Sequence, residues 1–152
     1  KTEMEVIKEL ASTDKSYRSL TKSWFRNSPL MEIIQQAAQS GFKLIITTDH
    51  GTINVKNPSK VIGDKNTSLN LRYKTGRSLS YEDKDVLAIK DPKTVHLPTI
   101  NMSSSFIFAK GDLFFAYPNN YNHYVSYFRN TYQHGGVSLE EMLIPFTTLI
   151  PK

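Results

Sequence analysis

The chain has 152 residues, 39% hydrophobic and 22% charged, a balance typical of one soluble globular domain with a real core. Its net charge of +5 favours anionic partners only where the cations cluster, and the absence of cysteine excludes disulfides and thiolate metal sites. No apolar run is long enough to span a bilayer and no signal-peptide pattern opens the chain, so we expect a cytoplasmic protein. Because the sequence begins at Lys1 without an initiator methionine, we expect a piece of a longer protein.

The first third of the chain predicts helices followed by a strand. Apolar residues at helical spacing predict one helix from Glu3 and a second from about Asp14. Ser28, followed by proline, predicts the cap of a third helix that ends at Gly41. The run Leu44 to Thr47 predicts a strand buried on both faces. This order predicts an α/β fold, a layered mixed sheet with flanking helices.

Residues 52–80 predict a basic, loop-rich insertion, because Asn, Ser, Thr, Gly and Lys predominate there. Within it, Leu69 to Tyr73 alternate as an exposed strand would. The cations of the interval, opposed only by Asp64, are Lys56, Lys60, Lys65, Arg72, Lys74 and Arg77. We take Arg72, Lys74 and Arg77 as candidate contacts to substrate phosphate, because pooled charge steers anions. The alternative is a solvated, mobile loop.

Two apolar runs, 105–109 and 113–117, flank Lys110-Gly111-Asp112 and predict a β-hairpin. From Tyr121 to Tyr132, aromatic residues recur at spacings of three and four, which predicts a helix that buries an aromatic stripe. The C-terminal half is therefore expected to contain a hairpin packed by an aromatic helix.

The last segment predicts a short helix and a strand. Ser138 with Glu141 matches a capping box at the start of a helix that Pro145 ends. The run Phe146 to Ile150 then predicts the final strand.

Three residues are candidate metal ligands. Asp49 and His50 follow the predicted strand at 44–47, and Gly51 permits the bend they need to bind one ion. His134 lies on a predicted loop between two helices, before a pair of glycines that let the backbone approach an ion or phosphate. Carboxylate with imidazole suits zinc, manganese or iron. The alternative is that all three cap or hydrogen-bond locally.

The segments Thr47–Gly51 and His134–Met142, in that order, resemble the C-terminal part of a PglZ domain of the alkaline phosphatase superfamily. The chain is similar to PorX-type response regulators of Bacteroidetes, in which a receiver domain precedes such a domain. The similarity covers essentially the whole chain, including residues 70–76.

The resemblance implies a site with two metal ions, usually zinc, and a serine or threonine nucleophile that attacks phosphorus. It implies that Asp49 and His50 bind the ion beside the nucleophile and that His134 binds the other. The resemblance also implies that the second ion needs an aspartate and a histidine four residues later, and no histidine in this chain has an aspartate at that position. By the same resemblance, the remaining ligands and the nucleophile are expected upstream. The chain alone is then expected to hold an incomplete zinc site and to be inactive.

For the parent protein, the resemblance implies phosphatase or phosphodiesterase activity on a phosphate ester such as a nucleotide or oligonucleotide. It also implies a two-component regulator linked to type IX secretion signalling, with a receiver domain upstream. Loss of the N-terminal part of the sheet would expose a strand edge and apolar surface, so we expect self-association of this piece to be an artefact of its boundaries. The alternative function is a non-catalytic interaction module, in which the basic 56–77 segment binds nucleic acid or an acidic protein partner.

Overall fold

The computed structural model describes residues 11, 13–64, 67–99 and 103–151, which form two compact units. The first unit comprises Lys1–Asp49 with Leu143–Lys152, and the second comprises His50–Met142. The helix predicted from Glu3 lies outside the described residues. None of the helices in the described ranges has the length and apolarity needed to cross a membrane.

The first unit begins with two consecutive helices, α1 (Asp14–Asn27) and α2 (Pro29–Gln39), both as predicted. The Thr13 hydroxyl caps α1 by accepting the backbone N–H of Ser16 at 3.1 Å. Ser28 is the N-cap of α2, and proline occupies the first turn, where its missing N–H costs nothing.

Gly41 ends α2 as predicted. Its φ of +76° is the left-handed conformation that glycine adopts without steric cost. The N–H of Gly41 donates to Ala38 O at 3.0 Å, and the N–H of Phe42 donates to Ala37 O at 2.9 Å. This pair of bonds is a Schellman motif, which turns the chain out of the helix and into the first strand.

The first strand, β1 (Leu44–Thr47), pairs antiparallel with the last, β9 (Phe146–Leu149), with Leu44 opposite Leu149. Both strands were predicted, but the prediction that β1 is buried on both faces is wrong. Its residues alternate between half-buried and exposed, and Ile45 is 58% exposed. Within the described residues β1 pairs only with β9, and successive side chains point to opposite faces, so one face meets solvent.

The second unit contains a three-stranded sheet and two strand pairs. The sheet has the order β4 (Tyr73–Gly76), β6 (Ser105–Ala109), β5 (Val86–Ile89), and both pairings are antiparallel. The pairs are β2 (Ile53–Val55) with β8 (Thr131–Gln133), antiparallel, and β3 (Asn57–Lys60) with β7 (Leu113–Ala116), parallel. The helices are α3 (Tyr121–Phe128), α4 (Leu139–Met142) and two short 3-10 helices at Asp83–Asp85 and Pro92–Val95. The predicted mixed α/β class is confirmed, with several small sheets.

The core of this unit lies on the two faces of β7. Phe115 packs with one buried cluster that contains Val61, Val86 and Ile107. Phe114 packs with another on the opposite face, whose members are Ile53, Val55 and Ala116. A continuous apolar run is what a strand covered on both faces requires, so β7 has the environment that the sequence predicted for β1.

The predicted hairpin is wrong in its pairing. Both strands form, but β6 pairs with β4 and β5, whereas β7 pairs with β3. Backbone of residues 71–72 separates them, because Ala109 N–H donates to Arg72 O and Phe115 N–H donates to Leu71 O, each at 2.8 Å. A turn-compatible sequence between two apolar runs could not reveal this intervening segment.

The exposed strand predicted from Leu69 to Tyr73 is also wrong, since the strand there begins only at Tyr73. The Asn70 side chain accepts the backbone N–H of Arg72 at 2.7 Å and of Tyr73 at 3.2 Å. This Asx turn bends the chain, and Arg72 points inward with no exposed surface.

The aromatic helix is confirmed but ends earlier than predicted, at Phe128. Asn130 has a φ of +64°, and its N–H donates to Val55 O at 2.7 Å, which directs the chain into β8. Tyr132 therefore lies buried in a strand. The face of α3 with Phe128 packs on the core, whereas Tyr127 is 63% exposed.

Candidate functional site

Strand pairing brings His50 and His134 together. In the antiparallel pair β2–β8, Ile53 lies opposite Gln133, so the residues before β2 and those after β8 leave the ladder at the same end. His134 directly follows β8 and leads towards α4, so its predicted position between two helices is wrong. The long-range strand pairing, rather than either local motif, places the two imidazoles side by side.

The two imidazole rings stack face to face, with centroids 3.9 Å apart and planes inclined by 11°. Nδ1 of His50 lies 2.9 Å from the carbonyl oxygen of Gly51. If Nδ1 carries the proton, it donates to this carbonyl and the ring's lone pair is on Nε2. A backbone carbonyl is one of the partners to which metal-ligating histidines donate their second ring N–H, beside carboxylates and water.

Asp49, the third predicted ligand, is the last residue of the first unit and precedes His50 in the chain. It is exposed, and its Oδ1 accepts the Thr48 hydroxyl at 3.3 Å. Across the described part of the chain, no three His, Asp or Glu side chains are assembled as a group that could hold a metal ion. The structure therefore assembles the two histidines of the predicted ligand set within one unit.

Glu141 on α4 holds both histidine-bearing loops. Its backbone oxygen accepts the N–H of Gly51 at 2.9 Å, next to His50. Its carboxylate accepts the N–H of Gly136 at 2.9 Å, two residues beyond His134. One residue thus fixes the backbone on both sides of the stacked imidazoles, and it acts as a positioning residue.

The carboxylate of Glu141 also forms a buried bidentate ion pair with Arg72. Arg72 Nε donates to Oε1 at 2.8 Å, Nη2 donates to Oε2 at 2.7 Å, and both side chains are almost completely buried. The guanidinium further donates to the carbonyl oxygens of Ala109, Gly111 and Leu113. The fork geometry of Arg explains how one side chain joins the ends of β6 and β7 to α4.

Electrostatics favour the ionised form of this pair. Burial by itself raises the pKa of Glu141, but hydrogen bonds from Arg72, Gly136 and Ser138, with the positive charge of Arg72, lower it below its ordinary value. Half of the predicted capping box is present, since the Ser138 N–H donates to the Glu141 carboxylate at 3.1 Å. The same carboxylate therefore caps a helix and neutralises a buried cation.

Close backbone approach explains the glycines of both loops. A Cβ on Gly136 would lie 2.8 Å from Arg72 Cζ and 2.8 Å from Glu141 Oε2. A Cβ on Gly51 would overlap the backbone carbonyl of Glu140. The sequence predicted that Gly135 and Gly136 let the backbone approach an ion or phosphate. Among the described groups, Gly136 lies against the Arg72–Glu141 ion pair, and Gly51 lies against the backbone of α4.

The predicted phosphate contacts occupy different environments. The guanidinium of Arg72 is buried in the ion pair with Glu141. The side chain of Lys74 is 2% exposed, and that of Arg77 is exposed to solvent. The hypothesis of a basic nucleic-acid surface on this segment stays a prediction, and within the described residues it now depends on Lys56, Lys60 and Arg77.

Sequence reasoning missed the role of Glu141, which it treated only as a helix cap. The available signal was Arg72 between apolar Leu71 and aromatic Tyr73, because a buried arginine requires a carboxylate. Nothing in the local pattern indicates which of the chain's acids supplies it.

Comparison with protein families matches residues 1–149 to the BREX system PglZ alkaline phosphatase-like domain. The match covers nearly the whole chain, including both histidine-bearing loops. No curated protein matches the chain in sequence.

Proposed function

The chain belongs to the PglZ family of alkaline phosphatase-like domains, and from this membership we propose that it forms part of a metal-dependent phosphohydrolase. The observation that carries the proposal is the stacked pair of His50 and His134, which two strands and one helix hold in place. Its substrate would be a phosphomonoester or phosphodiester.

The ring geometry supports one ion per histidine. A histidine nitrogen binds metal through a lone pair in the plane of its ring, and the lone pairs of nearly parallel rings do not converge on one point. The rings of His50 and His134 are inclined by only 11° and lie 3.9 Å apart. Ions in two-metal phosphohydrolase sites are about 3.5–4 Å apart, a spacing close to that of the rings. We therefore assign His50, with Asp49, to one zinc ion and His134 to the other.

The residues present fit a part of such a site. Two bound cations would depress the pKa of a nucleophile and neutralise the attacking and leaving oxygens. The imidazole rings of His50 and His134 are stacked, and Glu141 accepts hydrogen bonds from the backbone close to each of them, at Gly51 and Gly136. A complete zinc site uses three or four protein ligands per ion, more than Asp49, His50 and His134 supply for two ions. This chain alone is therefore expected to bind zinc weakly and to lack turnover.

The nucleophile and remaining ligands are proposed to lie upstream in the parent protein, for which this chain would be the C-terminal part of the domain. By its resemblance to PorX-type regulators, we assign that parent to cytoplasmic two-component signalling linked to type IX secretion, with a receiver domain before the PglZ domain. By the same resemblance, we propose that the parent protein dimerises and that its substrate is an oligonucleotide.

Elemental analysis of the full-length protein tests the proposal. We expect about two zinc ions per chain, with loss of zinc and of phosphodiester hydrolysis on Asp49→Asn or His134→Ala. His123→Ala is the matched control, because His123 is an exposed histidine on α3 outside this pair. Full-length protein that binds no zinc, or retains all of it after His134→Ala, would contradict the proposal.

A further inference from the structure

The second unit contains an open cleft of about 900 Å³ between the segment that leads into β4 and helix α3. This volume lies within the range of about 300–1,000 Å³ found for small-molecule sites. Four aromatic residues line it, namely Phe115, Tyr117, Tyr124 and Phe128. The rings of Tyr124 and Phe128 are nearly parallel, with planes inclined by 13° and centroids 6.2 Å apart.

Lys74 lines the same cleft and is only 2% exposed. Its ammonium donates to Ser68 O at 2.8 Å and lies 5.1 Å from the centroid of the Tyr117 ring. Within the described ranges no carboxylate forms an ion pair with it. Asp64 also borders the cleft, but it is exposed, and water screens its charge. Lys74 is therefore a buried cation with neutral partners.

Such a cation is costly, because desolvation penalises a charge that no opposite charge compensates. Burial lowers the pKa of Lys74 to about 8, so the ammonium form still predominates at neutral pH. A bound anion would supply the missing charge and restore the pKa towards its ordinary value.

A second polar group in the wall also lacks a partner. Thr67 is one of the residues that line the cleft, and its buried hydroxyl, which packs beside Gly63 and Gly76, has no hydrogen-bond partner among the described residues. Buried hydroxyls are normally hydrogen-bonded, so an orphan beside a cleft indicates a ligand position.

We propose that this cleft binds a small aromatic molecule with one anionic group, a carboxylate or a phosphate. The anion pairs with the ammonium of Lys74 and accepts the hydroxyl of Thr67, while the ring packs on Tyr124 and Phe128. The inference is independent of the proposed phosphohydrolase activity, since binding is measured without metal or turnover.

Calorimetric titration with benzoate, phenylphosphonate and neutral benzyl alcohol tests this inference and separates carboxylate from phosphate. We expect one of the two anions to bind at least about tenfold more tightly than benzyl alcohol, and Lys74→Met to weaken it at least about tenfold. Lys60→Met is the matched control. Lys60 is an exposed lysine that also lies near an aromatic ring, that of Tyr121, but Lys60 does not line the cleft.

A second variant keeps the test decisive if Lys74→Met does not fold. Tyr124 is 39% exposed on α3, so Tyr124→Ala should leave the fold intact. It should weaken the aromatic anion several-fold, through loss of ring contact, and leave the binding of inorganic phosphate unchanged. Equal affinity of the anions for wild type, Lys74→Met and Tyr124→Ala, or no binding of either anion, overturns the inference.

Discussion

Replacing Glu141 by glutamine tests whether the buried ion pair organises the second unit. In wild type, Oε1 accepts Arg72 Nε and Gly136 N, while Oε2 accepts Arg72 Nη2 and Ser138 N. Glutamine retains one oxygen and places an NH₂ group at the other position. Whichever way the amide is turned, two donors then face a donor and the charge of Arg72 is uncompensated.

The expected loss of stability follows from that geometry. Removing one member of a buried ion pair costs about 3–5 kcal/mol, because the remaining charge stays desolvated. For a unit of the size of His50–Met142, this corresponds to a fall in melting temperature of more than about 10 °C. It is a large fraction of the stability of a typical domain, about 5–15 kcal/mol.

The aromatic residues allow the two units to be followed separately. Trp24, the only tryptophan, lies in the first unit, and every tyrosine except Tyr17 lies in the second. In Glu141→Gln, the tyrosine signal in near-UV circular dichroism should therefore be lost at a lower temperature than the tryptophan fluorescence change of the same sample.

Glu140→Gln is the matched control, because Glu140 is the exposed neighbour on the same helix. It should change stability by less than about 0.5 kcal/mol. A loss below about 1 kcal/mol in Glu141→Gln would refute the reasoning. The double variant Arg72→Met with Glu141→Leu should recover much of the loss, since it removes both buried charges.

Three further predictions concern the same unit. Gly136→Ala should cost about 1–3 kcal/mol in denaturant unfolding, because its methyl group would overlap Arg72 and Glu141. Phe114→Ala should cost about 3–5 kcal/mol in the same measurement, since this fully buried ring leaves a cavity beside β7. For Lys74, the pKa is about 8 in the folded protein against an ordinary 10.5, so the folded form releases its proton first as pH rises. The stability of wild type relative to Lys74→Met should therefore increase between about pH 8 and 10.5, by at most about 1.4 kcal/mol per pH unit, with the penalty fully present below pH 8.

The glycine and lysine variants each have a matched control. Gly111→Ala has open space around its Cβ and a φ of +49°, so it should show only the backbone cost of about 1 kcal/mol. Lys60→Met removes an exposed lysine and should show no comparable pH dependence relative to wild type. Asp64, Tyr117 and Tyr124 line the same cleft as Lys74 and are unchanged in both variants. Parallel pH profiles for wild type and Lys74→Met would contradict an unpaired buried ammonium.

Local sequence determined most of the helices and strands. The Ser28 and Pro29 start of α2, the Gly41 end, and the strands β1 and β9 were all predicted, because caps and left-handed glycines act within a few residues. The family resemblance likewise rested on the two histidine motifs, and the family match confirms that the chain belongs to the PglZ family.

Tertiary structure alone decided which elements meet. The sequence shows that 105–109 and 113–117 are apolar, but not that the backbone of Arg72 lies between the two strands. It also shows an arginine and a glutamate, but the pairing of Arg72 with Glu141 spans 69 residues. Periodicity shows which face of a helix or strand is apolar. The strand that packs on that face, and the acid that pairs with a buried arginine, are supplied by distant parts of the sequence. For this reason the histidine motifs were visible in the chain, and the ion pair that holds their loops was not.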